Sequence, residues 1–234
     1  MKLPSLIAIA GFKNAGKDTA ADMLQYLFSS PKFLHSYKWY KLLGKFFRNK
    51  KFKLTSFAYP LKRTLAALLD IDIAKFEDRD FKENYYIYFP TLEITNKPDK
   101  DKVISDGKFS RAIGNKDLSF IKTHYITIRQ LLQVFGTECM RSTFGDHIWI
   151  LSTLKDSSNK IISDLRFKVE WEAIQKLGGI TIYIHRNIAK PGNHASEKEL
   201  EDLYINQQFS YVIDNNDSLE SLFNNLKIFC RYIL

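Results

Sequence analysis

A glycine-bounded segment, Gly11 to Thr19 (GFKNAGKDT), joins a short apolar run to a helical pattern near the start of the chain. The apolar run Leu6–Ala10 predicts a buried strand, and the apolar periodicity from about Lys17 to Phe28 predicts a helix. The spacing of Gly11, Gly16 and Lys17 is that of a phosphate-binding loop. In such a loop the backbone N–H groups and the positive end of the following helix attract an anion. We therefore predict nucleotide binding, with Lys17 reaching the terminal phosphates as a mobile point charge.

The residue after Lys17 departs from the common form of this loop. That position usually carries the Ser or Thr hydroxyl that ligates Mg²⁺, whereas this chain has Asp18 followed by Thr19. A carboxylate beside phosphates is costly unless it meets a cation. Asp18 is therefore predicted to be a magnesium ligand, directly or through water, or an acceptor near the attacking oxygen. The alternative is that Asp18 only stabilises the helix N-terminus by its charge.

Strand and helix patterns alternate along much of the chain. This order predicts an α/β fold, with a mostly parallel sheet and helices on both faces. A length of 234 residues fits one domain with insertions, and residues 73–125, which show no clear pattern, are predicted to be an irregular substrate-side insertion. Further strands are predicted near Lys53–Phe57, Ile161–Asp164, Ile180–Ile184 and Tyr211–Ile213. Further helices are predicted from Tyr59 toward Leu69, from Thr127 to a break at Gly136, over His147–Lys155 and Phe167–Leu177, and after a cap at Ser218.

The composition and the lengths of the apolar runs indicate the cellular compartment. Its two cysteines, Cys139 and Cys230, show no metal-ligand spacing and indicate a reducing compartment. The apolar stretch at the N-terminus is too short for a signal peptide and runs straight into the glycine loop, and no run approaches membrane-spanning length. We expect a cytoplasmic protein, in the host cytoplasm if the source is viral, with no membrane partner. A homodimer is compatible with the sequence.

Positive charge is concentrated in one window. The chain carries a formal net charge of +9, but the segment Lys32–Arg63 contains ten Lys or Arg residues and no Asp or Glu. Aromatic residues lie between these basic residues, a pattern that suits nucleic acid. A second interpretation is an amphipathic helix near Ser36–Arg48, with apolar residues on one face and solvated lysines on the other. A third is an electrostatic funnel for anionic nucleotides. We favour the amphipathic helix over a nucleic-acid partner, and the sequence assigns no role to Lys32–Lys53.

Charged residues at the ends of the later strands are candidates for phosphate chemistry. Phosphoryl transfer depends on positioning and positive charge, and open parallel sheets bind ligands at the carboxyl ends of their strands. Asp164 in ISDLR would hold the water shell of a magnesium ion or a substrate hydroxyl, or else cap the next helix. Arg166 would clamp a phosphate with two hydrogen bonds. Arg186, with Lys190 and the Pro191–Gly192 turn, suits either a mobile basic lid or an ordinary surface loop.

Several motifs, taken together and in order, resemble the deoxynucleoside monophosphate kinases of tailed bacteriophages. They include GFKNAGKDTAADML from Gly11, FAYPLK (Phe57–Lys62), IRQLLQVFGTE (Ile128–Glu138), ISDLRFKVEWEAI (Ile162–Ile174) and the ending IDNNDSLESLF. The matches are collinear and omit about 31–53 and 80–125. The resemblance implies a P-loop NTPase fold of the nucleoside monophosphate kinase type. It also implies transfer of the ATP γ-phosphoryl group, with Mg²⁺, to a deoxynucleoside 5′-monophosphate.

The resemblance also implies roles for single residues, with small-molecule nucleotides as the partners. Arg166 and Arg186 would join Lys17 and Asp18 as catalytic residues, with Arg186 in a short lid over about 186–195. The ATP phosphates would be held by Lys13, Asn14, Gly16, Lys17, Asp18 and Thr19. The monophosphate substrate would be faced by Lys62, Arg79, Arg129, Gly136, Thr137, Trp149, Asp164, Arg166 and Glu170.

Three other functions use the same loop. A phosphomevalonate-kinase-like small-molecule kinase has a similar Gly-Lys-Asp loop and a similar Asp-x-Arg strand end, but the later motifs disfavour it. A nucleic-acid-binding P-loop ATPase would use the basic window, but Asp164 is followed by Leu165 and not by the Glu that such hydrolases commonly carry. A nucleotide-binding scaffold without catalysis is the third alternative.

Overall fold

The apolar runs that follow one another along the chain pair into a single parallel sheet. The computed structural model describes residues 5–48, 51–89, 91–116, 118–189 and 195–233. Its strands are β1 (Leu6–Ala10), β2 (Lys53–Thr55), β3 (Tyr86–Tyr88), β4 (Glu93–Thr95), β5 (Tyr125–Thr127), β6 (Lys160–Leu165), β7 (Ile180–His185) and β8 (Tyr211–Asp214). Five of them form a sheet in the order β2-β6-β1-β7-β8 in which every neighbouring pair is parallel. The predicted α/β fold is therefore confirmed.

Helices connect these strands. They are α1 (Lys17–Ser29), α2 (Tyr37–Leu43), α3 (Ala58–Leu69), α4 (Arg79–Asn84), α5 (Asp106–Asn115), α6 (Ile128–Gln133), α7 (Ser142–Phe144), α8 (Ile148–Leu154), α9 (Lys168–Lys176), α10 (Ala195–Ile205) and α11 (Leu219–Ile233). A π-helix, Val134–Arg141, joins α6 to α7. Ser218 caps α11 as predicted, since its Oγ accepts a hydrogen bond from the Ser221 N–H at 3.1 Å. In the part of the chain that is described, no helix is long and apolar enough to cross a bilayer.

The chain divides into two compact units. The first comprises the residues up to Phe57 and those from Thr153 onwards, and the second comprises Ala58–Ser152. In the first unit the parallel sheet is the centre of the core, because all five residues of β1 are buried. Met23 and Leu24 of α1 and Phe223 and Leu226 of α11 belong to the same apolar cluster. Strands buried on both faces need continuous apolar runs, which is why the sequence pattern located them.

The second unit contains the segment that was predicted to be irregular, and that prediction is wrong. Between residues 73 and 125 lie two helices, α4 and α5, and the antiparallel sheet β4-β3-β5 closes with β5 at Tyr125–Thr127. Its core contains Phe76, Phe81, Ile87 and Ile126. Each strand has only three residues. A run of that length is too short to show the alternation that reveals a strand in a sequence.

The helix predicted to break at Gly136 does not break there. Instead α6 continues as the π-helix Val134–Arg141. The Trp149 indole N–H donates to the Gly136 carbonyl at 2.9 Å. A Cβ at Gly136 would lie 2.9 Å from Leu61 Cδ2, so the glycine allows a close packing contact. The glycine therefore serves close approach inside a helix and does not end it.

The basic window contains a helix as predicted, but its apolar side chains lie on both the buried and the exposed side of that helix. It contains α2, followed by a 3₁₀ turn at Gly44–Phe47. Tyr37, Tyr40 and Phe47 face the core of the first unit. The opposite face carries lysines together with exposed apolar residues, so the expectation that the apolar residues share one buried face is wrong.

Candidate functional site

The segment between β1 and α1 adopts a conformation that only glycine tolerates at two positions. Gly11 has φ 146° and Gly16 has φ 95°. A Cβ would lie 2.7 Å from the Ile184 carbonyl oxygen at Gly11 and 2.5 Å from Asn215 Nδ2 at Gly16. Asn14 also lies in the left-handed region, with φ 66°. The loop is thus closely packed against the ends of β7 and β8.

Lys17, the first residue of α1, folds back over this loop. Its ammonium donates to the carbonyl oxygens of Gly11 at 2.7 Å and Phe12 at 2.9 Å. A phosphate bound in the loop would offer the same ammonium a charged acceptor, and charge-assisted hydrogen bonds to anions are the stronger kind. Lys17 is therefore placed to exchange loop carbonyls for phosphate oxygens, while Lys13 and Asn14 are exposed on the loop.

Strand register brings the segments that carry three predicted residues, Lys17, Arg166 and Arg186, to one edge of the sheet. Ala10, the last residue of β1, lies opposite Leu165 of β6 and Tyr183 of β7. The segments that follow these strands therefore leave the sheet at its carboxyl edge, where parallel sheets bind ligands. Arg166 is exposed there. Arg186 reaches the loop itself, because its Nη1 donates to the Asn14 carbonyl oxygen at 3.1 Å.

A fourth residue at this edge, Asn215, was missed from the sequence. It follows β8, is 6% exposed, and donates from Nδ2 to the Ala15 carbonyl oxygen at 2.8 Å. Its own N–H donates to the His185 carbonyl oxygen at 2.8 Å. Asn215 thereby ties the end of the last strand to the back of the loop. The sequence offered two signals, its place just beyond a predicted strand and its position in the motif IDNNDSLESLF, but neither indicated a contact with the loop.

We expect Asn215→Ala to lower the free energy of unfolding by about 1–3 kcal/mol, because it leaves a buried carbonyl without its donor. Chemical denaturation would measure the change. The neighbouring Asn216 offers a control, since it is exposed and its Oδ1 accepts from the Asn187 N–H at 2.7 Å. Asn216→Ala should change stability by no more than about 0.5 kcal/mol. Equal effects of the two substitutions would show that Asn215 has no special role.

Asp164 and Glu170 organise the end of β6. Asp164 Oδ1 accepts from the Phe57 N–H at 2.6 Å. It is not the cap of the following helix, because α9 begins after Phe167. Glu170, 2% exposed, supplies that cap: its Oε2 accepts from the N–H groups of Arg166 at 2.9 Å and Phe167 at 3.1 Å. Glu170 therefore fixes the backbone that carries Arg166.

Asp18 and Thr19 lie in the first turn of α1, beside a cavity of about 540 Å³. The cavity is also lined by Asp22, Tyr40 and Arg48. Asp22 accepts from the Tyr40 hydroxyl at 2.8 Å and pairs with Arg48 Nη2 at 3.0 Å. Burial and the adjacent Asp22 carboxylate raise the pKa of the Tyr40 phenol, so Tyr40 remains a donor. The exposed Asp18 carboxylate and the Thr19 hydroxyl are hard oxygen donors of the kind that Mg²⁺ prefers.

The second unit holds a separate group of predicted cations. Lys62 of α3 donates to both carboxylate oxygens of Glu77, at 2.8 and 2.9 Å. Arg129 of α6 pairs with Glu83 Oε1, at 2.8 Å from Nε and 2.6 Å from Nη2. Arg79 is exposed at the start of α4. Carboxylates thus neutralise Lys62 and Arg129.

Lys82 belongs to this group, although the sequence analysis did not single it out. Burial is the main cause of its lowered pKa; the positive charges of Lys62 and Arg129 lower it further, while the carboxylates of Glu77 and Glu83 raise it. A phosphate bound beside Lys82 would favour its charged form. Nothing in the local sequence marks Lys82, since the cluster forms only when α3, α4 and α6 pack together.

The remaining residues that were predicted to face the substrate lie in the second unit, and part of the predicted lid lies outside the described part of the chain. Gly136 and Thr137 lie on the π-helix, and Trp149 is 5% exposed in the core of the second unit. These positions do not test a contact with substrate, which stays a prediction. Of the predicted lid, Lys190 and the Pro191–Gly192 turn lie outside the described residues.

Several known proteins are similar to this chain over most of its length. The deoxynucleotide monophosphate kinase of Enterobacteria phage T4 is 24% identical over 95% of this chain and 97% of its own length. That of Escherichia phage RB69 is 22% identical over 97% of this chain and 99% of its own length. A dephospho-CoA kinase structure from Campylobacter jejuni aligns over 98% of this chain and 96% of that chain at 13% identity, but its TM-score of 0.36 supports no argument. The family described as "Deoxynucleotide monophosphate kinase" matches residues 5–226, so the chain belongs to the deoxynucleotide monophosphate kinase family.

Proposed function

We propose that this nucleotide kinase transfers the γ-phosphoryl group of ATP, with Mg²⁺, to a deoxynucleoside 5′-monophosphate and releases ADP and the deoxynucleoside diphosphate. Family membership supports the acceptor class. The observation that carries the donor side is the glycine loop, with Lys17 folded over it and Arg166 and Arg186 at the same edge of the sheet. The phosphomevalonate-kinase and nucleic-acid ATPase alternatives gain no support from the family or its relatives.

On the donor side, the loop N–H groups and the N-terminus of α1 would hold the phosphates, with Lys17 against the terminal ones. Lys13, Asn14, Gly16 and Thr19 would complete this contact. Asp18 and Thr19 would hold Mg²⁺, which supplies positive charge against the phosphate oxygens when bound. This assignment rests on the oxygen donors in the first turn of α1, because Mg²⁺ is often bound by one or two carboxylates together with substrate phosphates.

On the acceptor side, Lys62, Arg79 and Arg129 would bind the monophosphate. Glu77 pairs with Lys62 and Glu83 pairs with Arg129, and the phosphate of the substrate would replace these two carboxylates. Gly136, Thr137 and Trp149 would contact the nucleoside, and Asp164 and Glu170 would act near the reacting groups by positioning Phe57 and Arg166.

In the reaction itself, an oxygen of the acceptor phosphate bonds to the γ-phosphorus as the bond between that phosphorus and the leaving ADP oxygen breaks. Charge spreads over the transferred group and the leaving oxygen. Lys17, Arg166 and Arg186 would neutralise this charge. Exclusion of water would depend on the lid over about 186–195, which we also propose.

A panel of deoxynucleoside 5′-monophosphates offered with ATP, followed by ADP release, tests the proposed function. We expect turnover with at least one of them and none with phosphomevalonate. Hydrolysis that needs no acceptor and increases with added DNA would favour the ATPase alternative instead. Binding of ATP without turnover of any acceptor would indicate the scaffold alternative.

Lys82→Gln is expected to raise the KM for the monophosphate about tenfold or more, because one charge-assisted contact to phosphate contributes roughly 1.5–3 kcal/mol. The KM for ATP should not change. Since the pKa of Lys82 is lowered, raising the pH should remove its charge before that of an ordinary lysine, so monophosphate binding weakens toward alkaline pH. Lys82→Arg stays charged throughout and should lose this pH dependence. An unchanged KM in Lys82→Gln would exclude Lys82 from the site.

We also propose a single P-loop kinase domain in which residues 73–125 serve the acceptor side. The two free cysteines, one exposed and one buried, support a cytoplasmic site of action, which for a viral enzyme is the host cytoplasm.

Gel filtration would decide whether the enzyme is a homodimer.

A further inference from the structure

The solvent-facing side of α2 and its 3₁₀ turn carries large apolar side chains among lysines. Trp39, Leu42 and Phe46 are 38%, 69% and 68% exposed. An exposed lysine immediately precedes each of them. The three lysines are spaced by three and four residues, and so are the three apolar residues. This spacing places each set along one side of a helix. We call these residues the basic–apolar face: Lys38, Trp39, Lys41, Leu42, Lys45 and Phe46.

The other side of this segment is anchored, so the exposed residues cannot turn inward without breaking contacts. Tyr37, Tyr40 and Phe47 pack against the core of the first unit. The Tyr40 ring also packs against Phe223 in a tilted arrangement, with ring centroids 5.5 Å apart, and its hydroxyl donates to Asp22 at 2.8 Å. The outward direction of the basic–apolar face is thus set by the fold. A cluster of exposed large apolar residues is typical of an interaction surface.

The charge of this surface limits what can cover it. The segment Lys32–Arg63 contains no acidic residue. Arg48 is paired with Asp22, whereas the charges of the basic–apolar face are all lysines. A second copy would present the same positive charges, so self-association through this face is opposed by repulsion. The partner must combine negative charge with a place to bury apolar groups.

We propose that the basic–apolar face binds the surface of an anionic lipid bilayer, which replaces the expectation from the sequence that the protein has no membrane partner. Trp39, Leu42 and Phe46 enter the boundary between headgroups and acyl chains, and the three lysines contact the anionic headgroups. Phe33, 81% exposed in the preceding turn, extends the apolar part. A single-stranded nucleic acid fits less well, because Leu42 offers no ring for stacking and the face lacks the arginines that stack with bases. The proposal does not depend on the kinase reaction.

Co-sedimentation of the full chain with vesicles tests the proposal. We expect binding to vesicles of phosphatidylglycerol and phosphatidylcholine in equal parts, and not to phosphatidylcholine alone. Added salt should weaken the binding by screening. Trp39 emission should shift to the blue on binding, and the Trp39→Phe variant should bind without most of that shift.

Two triple variants separate the apolar and electrostatic contributions. Replacing Lys38, Lys41 and Lys45 by Gln should weaken vesicle binding about a hundredfold, since each lysine near an anionic surface adds about a factor of five. Replacing Trp39, Leu42 and Phe46 by Ser should abolish the binding. Because these residues lie outside the proposed active site, both variants should keep the wild-type kinase activity. The Gln variant should also keep the wild-type melting temperature, whereas the Ser variant should melt a few degrees lower because Trp39 is only 38% exposed. The matched control replaces three exposed apolar residues elsewhere by Ser, namely Leu177, Ile205 and Tyr232.

Several results would overturn the proposal. One is wild-type protein that does not sediment with anionic vesicles, which would leave an acidic protein as the partner class. Another is equal binding by the Ser triple variant, or equal loss in the control triple variant. Tight binding to an oligothymidylate that the Ser triple variant retains, without vesicle binding, would indicate nucleic acid instead.

Discussion

Replacing Lys17 by alanine is expected to lower kcat by about a hundredfold to a thousandfold, the usual effect of removing one charge-stabilising group from an active site. Lys17 is the only predicted ATP contact whose side chain the structure already holds over the loop, through Gly11 and Phe12, as far as the described residues show. Both bonds are to partly buried carbonyls that water can reach, so the fold should survive the substitution. Steady-state kinetics and thermal unfolding together would measure the two effects.

Lys176→Ala provides the matched control for this experiment. Lys176 is an exposed lysine in the last turn of α9, away from the loop, and its removal should change neither kcat nor stability appreciably. A folded Lys17→Ala protein with normal turnover would contradict the proposed function, whereas an unfolded one would show that the loop carbonyls depend on the ammonium. Circular dichroism distinguishes these two cases.

Gly16→Ala should have an effect of similar size, but through the backbone. The left-handed conformation at φ 95° costs a non-glycine residue about 1–3 kcal/mol. In addition, the new Cβ would lie 2.5 Å from Asn215 Nδ2 and would displace the amide that holds the Ala15 carbonyl. A displacement of about 1 Å in a reacting group lowers rates by roughly a hundredfold. Both the free energy of unfolding and kcat should therefore fall.

Substitutions at two other glycines distinguish the effect of backbone strain from that of a steric clash. Gly145 has φ 88° and Gly107 lies in α5, and a Cβ would meet nothing within 4 Å at either position. Gly145→Ala should lose stability through strain without losing activity, and Gly107→Ala should be neutral or slightly stabilising, as for alanine in a helix. Activity loss in Gly145→Ala comparable to that in Gly16→Ala would mean that general destabilisation, and not loop geometry, explains the result.

The elements that the sequence predicted are those whose signal is local. The strand β1, the glycine loop and α1 are contiguous, and each has its own pattern over a few residues. Strands β6 and β7 were found because each contains a short, mostly apolar run (Ile161–Ile162 and Ile180–Ile184), and the alternation of strands with helices predicted that they are parallel. Lys17 could be named from the spacing of the glycine loop, and Arg166 and Arg186 from their places just after strands of a parallel sheet.

The features that were missed depend on contacts between distant residues. Gly136 is a residue type that commonly ends helices, but here it lies inside a π-helix, where it contacts Leu61 of another helix and accepts a hydrogen bond from Trp149. Lys82 has no local motif, and the motif that contains Asn215 does not indicate its contact with the loop, since each residue acquires its place through packing of other elements. In the basic window the helix was predicted correctly, but which of its aromatic residues would be buried depended on Phe223 of the last helix.

The bond between Asn215 and Ala15 spans 200 residues of sequence. A nascent chain leaving the ribosome therefore carries the loop near its start long before the residue that supports it has been made. At about 5–20 residues per second, this interval lasts roughly 10–40 s. Likewise, the central strand β1 cannot form its sheet pairs until its two neighbours, β6 and β7, have been synthesised much later. Nucleotide can therefore assist co-translational folding of this loop only after the residues through Asn215 have emerged.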